Sequence, residues 1–188
     1  MPLLLTLPAA VQAQFTYTSN NGAITITGYT GPGGAVTIPG MINGLPVTSI
    51  GYRAFAYCDF LTSIMIPNSV TNIGDLAFGS YSLNSITVDR LNPVYISVDG
   101  VLFDKGQTTL IQYPEGKAGS YAVPNSVTSI GSAAFRDCGL LSVTIPDSIT
   151  DIGYGAFMGC TSLTSVTIPN SVTNIGGGVA GCPATEVG

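Results

Sequence analysis

The chain has 188 residues, which at about 150 residues per domain provides for one domain or for one array of small units. Only 8% of the residues are charged, against about 25% in an ordinary soluble protein, while 45% are hydrophobic, so the chain is not a disordered acidic tail. A formal net charge of −5 argues against nucleic acid as a partner, because that binding depends on basic contacts to phosphates. The chain has no histidine, so the commonest general base and metal ligand is missing.

Segment 1–13 has the composition of the end of a secretory signal peptide. A short apolar run precedes Val11-Gln12-Ala13, which fits the small-x-small cleavage rule and predicts Gln14 as the mature N-terminus. No basic leader precedes the run, since the first basic residue is Arg53, and a chance composition is the alternative. The run is too short for a membrane span of about 20 residues, and no later segment of the sequence reaches that length.

Segment 14–37 is predicted to fold as an N-terminal β cap. Hydrophobic and polar residues alternate from Ala23 to Thr27, which is typical of a half-buried strand. Asn21-Gly22 on one side and Gly31–Gly34 on the other are turn sequences that bound this strand. We expect the strands of this segment to pair with the first unit of a repeat array.

A repeated motif covers most of the remaining chain. The sequence Ile145–Gly153 returns with small changes as Ile168–Gly176, 23 residues later, and such a fixed period indicates a stacked repeat architecture. Other copies, one of them stretched, begin at Ile38, Ile66 and Val123. An Ala-Phe pair follows the copies at Ala54-Phe55, Ala77-Phe78, Ala134-Phe135 and Ala156-Phe157. The two repeat regions and a truncated tail are then 38–88, 123–182 and 183–188.

One unit, from Ala156 to Gly176, shows how the repeat is expected to fold. Leu163, Val166 and Ile168 have the spacing of a short inward-facing strand, which ends at Pro169 because proline donates no ladder hydrogen bond. A second short strand follows, the glycine permits the next turn, and the Ala-Phe pair lies in a turn or short helical segment with its ring inward. Such a unit cannot offset its backbone entropy of about 1–2 kcal/mol per residue, so several units must stack around a shared core.

Segment 89–122 interrupts the repeat and is predicted to be a β-hairpin insert. Asp99-Gly100 stands between two apolar runs and is a strong signal for a two-residue hairpin turn. Asp104-Lys105-Gly106 and Pro114-Glu115-Gly116 offer two further turns. The insert therefore replaces one or more regular units with an all-β segment.

The motif Ile-Pro-Asn-Ser-Val-Thr-x-Ile-Gly-x-x-Ala-Phe-x-x-Cys-x-x-Leu-Thr-Ser-Val resembles the BspA-type leucine-rich repeat, a class of bacterial and protist surface proteins. Asn92–Phe103 resembles the irregular insert of that family, and Val36–Gly51 resembles its usual first repeat. The resemblance covers about Phe15 to Cys182 and implies a mainly β, leucine-rich-repeat-like solenoid with short strands and short helical turns. It also implies an association with adhesion to host or matrix proteins. The second copy departs from the motif, since Ser80-Tyr81 stands where the cysteine is expected.

The four cysteines follow the repeat. Cys138, Cys160 and Cys182 are 22 residues apart and occupy equivalent positions in consecutive coils, which predicts a structural stack of buried thiols. One disulfide between neighbouring coils is an alternative, since adjacent strands lie about 4.7–4.9 Å apart, but side chains in register give it poor geometry. A metal site has little support without histidine or a paired C-x-x-C. Cys58 has no partner in an adjacent repeat and is expected to be a free thiol.

No residue pattern indicates catalysis, so we expect no enzyme activity, no catalytic or metal-ligating residue and no cofactor. Asp147 and Asp151 lie in a repeat turn where other copies carry asparagine, and this exchange suits turn capping by a side-chain oxygen. Turn chemistry also accounts for Asp99 and Asp104, which flank a hairpin. Serine is abundant, but a nucleophilic triad lacks its usual base. A carbohydrate-active hydrolase, which needs two carboxylates in a cleft, is a remote alternative.

The remaining functional surface is the outer side of the strands with the L-x-x-V-x-I spacing. Its short polar side chains should form ladders on a stiff, nearly uncharged face, although a plain solvated sheet is the alternative. We expect a non-catalytic binding or adhesion module, secreted or at a bacterial cell surface, that recognises an extracellular protein or glycan. A structural spacer within a larger surface protein is the competing hypothesis. The predicted ligand face consists of Thr62, Ser63, Met65, Asn84, Ser85, Thr87, Ser142, Thr144, Thr164, Ser165 and Thr167.

Overall fold

The computed structural model of this chain describes residues 14–178 and the backbone of Thr185–Val187. The predicted signal segment 1–13, Cys182 and most of the tail 183–188 lie outside the described residues. The described part of the chain contains 18 strands and no helix, so the predicted mainly β solenoid is confirmed. The short helical turns expected at the Ala-Phe pairs are instead non-helical turns.

The strands are short, as the spacing of the repeat requires. In chain order they are β1 Phe15–Asn20, β2 Ala23–Tyr29, β3 Gly34–Thr37, β4 Met41–Ile42, β5 Leu45–Ile50, β6 Leu61–Ile66, β7 Asn72–Ile73, β8 Ser85–Val88, β9 Tyr95–Val98, β10 Val101–Asp104, β11 Thr109–Gln112, β12 Gly119–Ala122, β13 Ser129–Ile130, β14 Leu140–Thr144, β15 Asp151–Ile152, β16 Val166–Ile168, β17 Asn174–Ile175 and β18 Thr185–Val187.

The strands form two rows along the solenoid. Face A contains the parallel groups β3-β6-β8, β12-β14 and β16-β18. Face B contains β1-β2-β5-β7 at the N-terminal end and β9-β10-β11-β13-β15-β17 further along. The predicted inward positions Leu163, Val166 and Ile168 are buried, and β16 ends directly before Pro169 as expected.

The Ala-Phe turns form the third side of the solenoid, which we call the turn edge. Their phenylalanine rings are buried, and the rings of Phe135 and Phe157 stack with centroids 5.0 Å apart. Consecutive turns are joined through the backbone: the amide of Phe55 donates to the carbonyl of Ala77 at 2.7 Å, and that of Phe135 to Ala156 at 2.8 Å. We number the coils by these pairs: coil 1 has Ala54-Phe55, coil 2 Ala77-Phe78, coil 3 Ala134-Phe135 and coil 4 Ala156-Phe157.

The glycine of each Ile-Gly pair is needed for close packing between coils. A Cβ atom on Gly153 would lie 2.4 Å from the backbone nitrogen of Ser132, and one on Gly176 would lie 2.4 Å from that of Tyr154. Neither glycine has a positive φ angle. We expected this glycine to permit a turn, whereas the structure shows that it lets the backbone of the preceding coil approach.

The N-terminal segment consists of a hairpin followed by a first solenoid strand. β1 and β2 pair antiparallel, and β2 also pairs in parallel with β5 of the first repeat. β3 lies in the same segment but pairs in parallel with β6, and thus already occupies a position on face A.

The insert begins with the predicted hairpin. β9 and β10 pair antiparallel, and Asp99 and Gly100 have φ angles of 50° and 78°, which confirms a two-residue turn with positive φ at both positions. β11 pairs antiparallel with β10 on one side and in parallel with β13 on the other. β12 then pairs in parallel with β14, so the second half of segment 89–122 follows the solenoid.

The apolar interior is divided into two clusters, where we expected one shared core. One cluster extends from Phe15 to Leu102, and the other from Val101 to Ile168. Strand β10 separates them, because successive side chains of a strand point to opposite sides. Leu102 belongs to the N-terminal cluster, while Val101 and Phe103 belong to the C-terminal cluster.

Candidate functional site

The residues of the predicted ligand face lie on face A, in β6, β8, β14 and β16 or directly before β8 or β16. The parallel register places Ser63 beside Ser85 and Met65 beside Thr87, as the ladder hypothesis requires. Hydrogen bonds already occupy some of these hydroxyls: Thr87 Oγ1 donates to the carbonyl of Ile64 at 3.0 Å. The face is therefore polar and ordered, and only part of its hydrogen-bonding capacity is directed at solvent.

The hairpin insert divides this face into two areas. The carbonyl of Gly100 accepts a hydrogen bond from the amide of Ile86 at 2.8 Å, so the hairpin tip packs against β8 beside Ser85. On the far side of the tip, Ser142 Oγ donates to Ser120 Oγ at 2.8 Å between β14 and β12. The structure thus brings the predicted face together as two shorter patches.

A groove opens on the second patch. It lies between β14 and β16, which are not paired with each other in the described sheets. Thr144 and Thr167 of the predicted face line it together with Asp147, Asn170 and Ser171. The groove presents hydroxyl, amide and carboxylate groups close to one another, which is a suitable set for hydrogen bonding to a partner.

A second depression lies on the turn edge, where the repeat pattern gave no reason to expect one. We call it the furrow, and it lies between coils 1 and 2 on one side and coils 3 and 4 on the other. Two adjoining hollows form it and share Leu76 and Arg136. Its aromatic and charged lining residues are Tyr52, Arg53, Tyr57, Asp75, Tyr81, Glu115, Arg136, Asp137 and Tyr154.

The departure of the second copy from the motif explains one wall of the furrow. Ser80 takes the buried place of the missing cysteine, and its Oγ donates to the carbonyl of Cys58 at 2.8 Å. Tyr81 is turned outward and has 69% of its surface exposed. The replaced cysteine was the sequence signal that could have pointed to this surface.

Glu115 lies in the furrow and is buried, with 8% of its surface exposed. Burial is the main reason why the pKa of this carboxyl is raised to about 7, and the negative charge of Asp137 raises it further. The charge of Arg136 acts in the opposite direction. Glu115 can therefore carry a proton near neutral pH.

The two arginines of the furrow have different surroundings. Arg136 Nε lies 3.1 Å from Asp137 Oδ2 and forms an ion pair. Arg53 lies over the ring of Tyr52, with its guanidinium carbon 5.1 Å from the ring centroid. Within residues 14–178, Arg136–Asp137 is the one ion pair. The side chain of Arg53 is exposed and has no carboxylate partner in this part of the chain.

The cysteines of coils 3 and 4 meet inside the turn edge. The sulfur atoms of Cys138 and Cys160 lie 3.4 Å apart, and both residues are buried. Cys160 Sγ donates to the carbonyl of Phe135 at 2.8 Å. The hydrogen bond with Cys160 lowers the pKa of Cys138. Cys58 is a half-buried free thiol whose pKa is raised by burial. Cys182, the third member of the predicted stack, lies outside the described residues.

Among the carboxylates singled out in the sequence, Asp104 ends β10, while Asp151, expected in a repeat turn, lies in β15. Asp104 accepts hydrogen bonds from the amides of Thr108 and Thr109 at 2.8 and 2.5 Å. Asp99 lies at the opposite end of β10, in the hairpin turn, so the two do not form a pair. Asp151 accepts a hydrogen bond from the side chain of Asn174 in the next coil at 3.4 Å.

Two features are absent from the described part of the chain. Residues 14–178 contain no cluster of three or more potential metal ligands. They also contain no helix that could span a membrane.

Comparisons with known proteins agree with this architecture. The model of the BspA type leucine rich repeat region matches six copies over residues 41–105 and 112–182. A leucine-rich repeat protein from Eubacterium ventriosum is 29% identical with a TM-score of 0.60, and the match covers 70% of this chain and 42% of that one. No curated protein matches the sequence.

Two further solved structures are similar. The leucine-rich repeat protein of T. pallidum is 29% identical over 93% of this chain and 69% of its own, with a TM-score of 0.46. The pneumococcal vaccine antigen PcpA is 21% identical with a TM-score of 0.54, over 78% of this chain and 50% of its own. This chain thus spans less than half the length of the Eubacterium protein. Because the six matched copies cover residues 41–105 and 112–182, more than half of its length, the chain belongs to the BspA-type leucine-rich repeat family.

Proposed function

We propose that this chain is a non-catalytic binding module, secreted or displayed at a bacterial surface, that recognises an extracellular protein or glycan through face A. The observation that carries the proposal is the groove between β14 and β16. It gathers Thr144, Thr167, Asp147, Asn170 and Ser171 from two consecutive coils. A partner that bridges these coils can form several hydrogen bonds to side chains of both.

The chemistry of the face favours binding over catalysis. Thr144, Thr164 and Thr167 are exposed short side chains, so little rotamer entropy is lost when a partner covers them. Ser142 Oγ donates a hydrogen bond to Ser120 Oγ at 2.8 Å, which adds to the order of the surface. Repeat proteins use such extended faces as binding surfaces.

An array of extracellular matrix proteins and glycans tests this proposal. The chain should bind at least one component, and Thr144→Lys or Thr167→Lys should weaken that binding at least tenfold by placing a long charged side chain in the groove. Thr71→Lys, at an exposed threonine away from face A, is the matched control and should bind as the wild type does. The absence of binding to every component of the array, or an equal loss of binding in all three variants, would contradict the proposal and favour the structural spacer.

A further inference from the structure

The furrow exists because the insert breaks the ladder of backbone hydrogen bonds along the turn edge. Between coils 1 and 2, the amide of Phe55 donates to Ala77. In coil 3, the carbonyl of Ala134 accepts from Tyr113 of the insert at 2.7 Å instead of accepting from coil 2. The insert passes this point without forming an Ala-Phe turn, so coils 2 and 3 stay apart at the surface.

Exposed aromatic rings are concentrated along this opening. Tyr57 and Tyr81 flank one end, with 76% and 69% of their surfaces exposed, while Tyr52 and Tyr154 line the other end. Exposed large apolar patches on soluble proteins commonly mark interaction sites. Tyrosine supplies a large contact area at a low cost in side-chain entropy, which suits a binding surface.

Among the charged residues that line the furrow, the guanidinium of Arg53 provides a place for an anionic group on the partner. The chain has 5 basic residues, and Arg53 and Arg136 both line the furrow. Asp137 neutralises Arg136 at 3.1 Å, whereas Arg53 is held over the ring of Tyr52 and has no carboxylate partner within residues 14–178. A partner carboxylate can therefore form the bidentate pair for which a guanidinium is suited.

The residue types favour a protein over a sugar. Ala56, Leu76 and Gly79 also line the furrow, and their side chains offer no hydrogen bonds to hydroxyl groups. Tyrosine and arginine, which line the furrow beside them, are the types enriched at the energetic centres of protein interfaces.

We propose that the furrow binds an extended segment of a partner protein that places an acidic side chain on Arg53 and an aromatic side chain between Tyr57 and Tyr81. This surface lies on the turn edge, away from the groove on face A, so the inference is independent of the function proposed above. One chain thereby presents two separate binding surfaces.

Glu115 makes this binding pH-dependent. A partner carboxylate in the furrow disfavours the ionised form of Glu115, whose pKa is already raised by burial, so binding is coupled to proton uptake and tightens as the pH falls from 8 to 6. The charged and titratable groups that face Glu115 are Arg53, Tyr57, Tyr81, Arg136, Asp137 and Cys138.

Tryptophan-containing peptides provide a direct probe. The chain has no tryptophan, so with tryptophan-selective excitation the emission reports on the peptide alone. The panel consists of synthetic peptides of about eight residues with Trp and Glu at varied separations, each matched by a peptide with Gln in place of Glu. We expect saturable binding that is at least tenfold tighter for a Glu peptide than for its Gln partner.

Variants assign the binding to the furrow. Arg53→Gln and Tyr81→Ser alter exposed side chains, and each should weaken binding of the Glu peptide at least tenfold. Glu115→Gln should remove the pH dependence of this binding between pH 6 and 8. Arg90→Gln and Phe60→Ser alter exposed residues outside the furrow and should bind as the wild type does.

Three outcomes would overturn the proposal: no saturation by any peptide, equal losses in the furrow and control variants, or displacement of the peptide by a uronic-acid oligosaccharide, which would assign the furrow to a glycan. Thr144→Lys should leave peptide binding unchanged, so a failure of this proposal is distinct from a failure of the one for face A.

Discussion

Leu102 and Phe103 are neighbours in sequence but pack into different hydrophobic cores. Both are fully buried in β10, with Leu102 facing the N-terminal cluster and Phe103 facing the C-terminal one. The hairpin insert therefore separates the hydrophobic cores of the two halves of the solenoid. Each half has its own interior, and the two are joined through one strand.

Substitutions at these two positions should weaken different halves of the molecule. Leu102→Ala should cost about 2–5 kcal/mol and Phe103→Ala about 3–5 kcal/mol, because each leaves a cavity in a packed core. Hydrogen exchange should show faster exchange of β6 and β8 in the first variant, and of β13 and β15 in the second. Identical exchange profiles in the two variants would mean that the cores unfold as one unit.

Gly153→Ala should destabilise the protein because the new Cβ atom would meet backbone and not a flexible side chain. The Cβ position lies 2.4 Å from the nitrogen of Ser132. We expect a loss of about 1–3 kcal/mol in the free energy of unfolding, measured by denaturant titration. Gly139→Ala is the matched control, since its nearest atom is 3.6 Å away, and a loss of similar size there would refute the close-approach explanation.

Cys160→Ser should be milder than Cys160→Ala. The sulfur of Cys160 donates to the carbonyl of Phe135 at 2.8 Å, and in coil 2 the hydroxyl of Ser80 makes a comparable bond to Cys58 at 2.8 Å. Serine should keep this bond and cost less than about 1 kcal/mol. Alanine removes it and leaves the carbonyl of Phe135 with the amide of Cys138 alone, at 3.3 Å, so it should cost about 0.5–1.5 kcal/mol more than serine. Thermal unfolding of both variants under reducing conditions measures the difference, and a more stable alanine variant would contradict it.

Glu115→Gln should change how stability depends on pH. The pKa of Glu115 is raised from 4.5 to about 7 in the folded protein, chiefly by burial, so the folded state holds the proton more tightly than the unfolded state. Its contribution to stability is full below pH 4.5 and is lost as the pH rises through 7. Glutamine stays neutral, so the variant should gain about 1–3 kcal/mol over the wild type at pH 8 and nothing at pH 4.

Denaturant unfolding at a series of pH values between 4 and 8 measures this difference. The gain of the Glu115→Gln variant should develop between pH 4.5 and 7 and then level off. A constant difference between the variant and the wild type across the series would show that burial of the charge is not its cause.

Local sequence patterns were enough to predict the repeat unit. The inward positions of Leu163, Val166 and Ile168 and the buried Ala-Phe pairs follow from spacing within one unit. The Asp99-Gly100 turn follows from two adjacent residues that tolerate positive φ. These features depend on residues close to one another in the chain, and the structure confirms them.

The candidate sites could be predicted only in part. The sequence placed Thr144 and Thr167 on one face, but the groove between them depends on β14 and β16 lying unpaired. The sequence did not predict the furrow, because at Tyr81 it shows only a departure from the repeat motif. Its outward direction follows from Ser80, whose hydroxyl fills the place of the buried thiol.

The sequence by itself determined the period, the strand faces and the family of this protein, because these depend on short-range alternation copied from unit to unit. The tertiary structure alone decided which glycines allow close packing between coils, how β10 divides the core and where Glu115 meets Arg136 and Asp137. Those relationships join residues of different coils, and the path of the insert sets them. A repeat pattern specifies each coil, whereas the interruption of that pattern specifies what is particular to this chain.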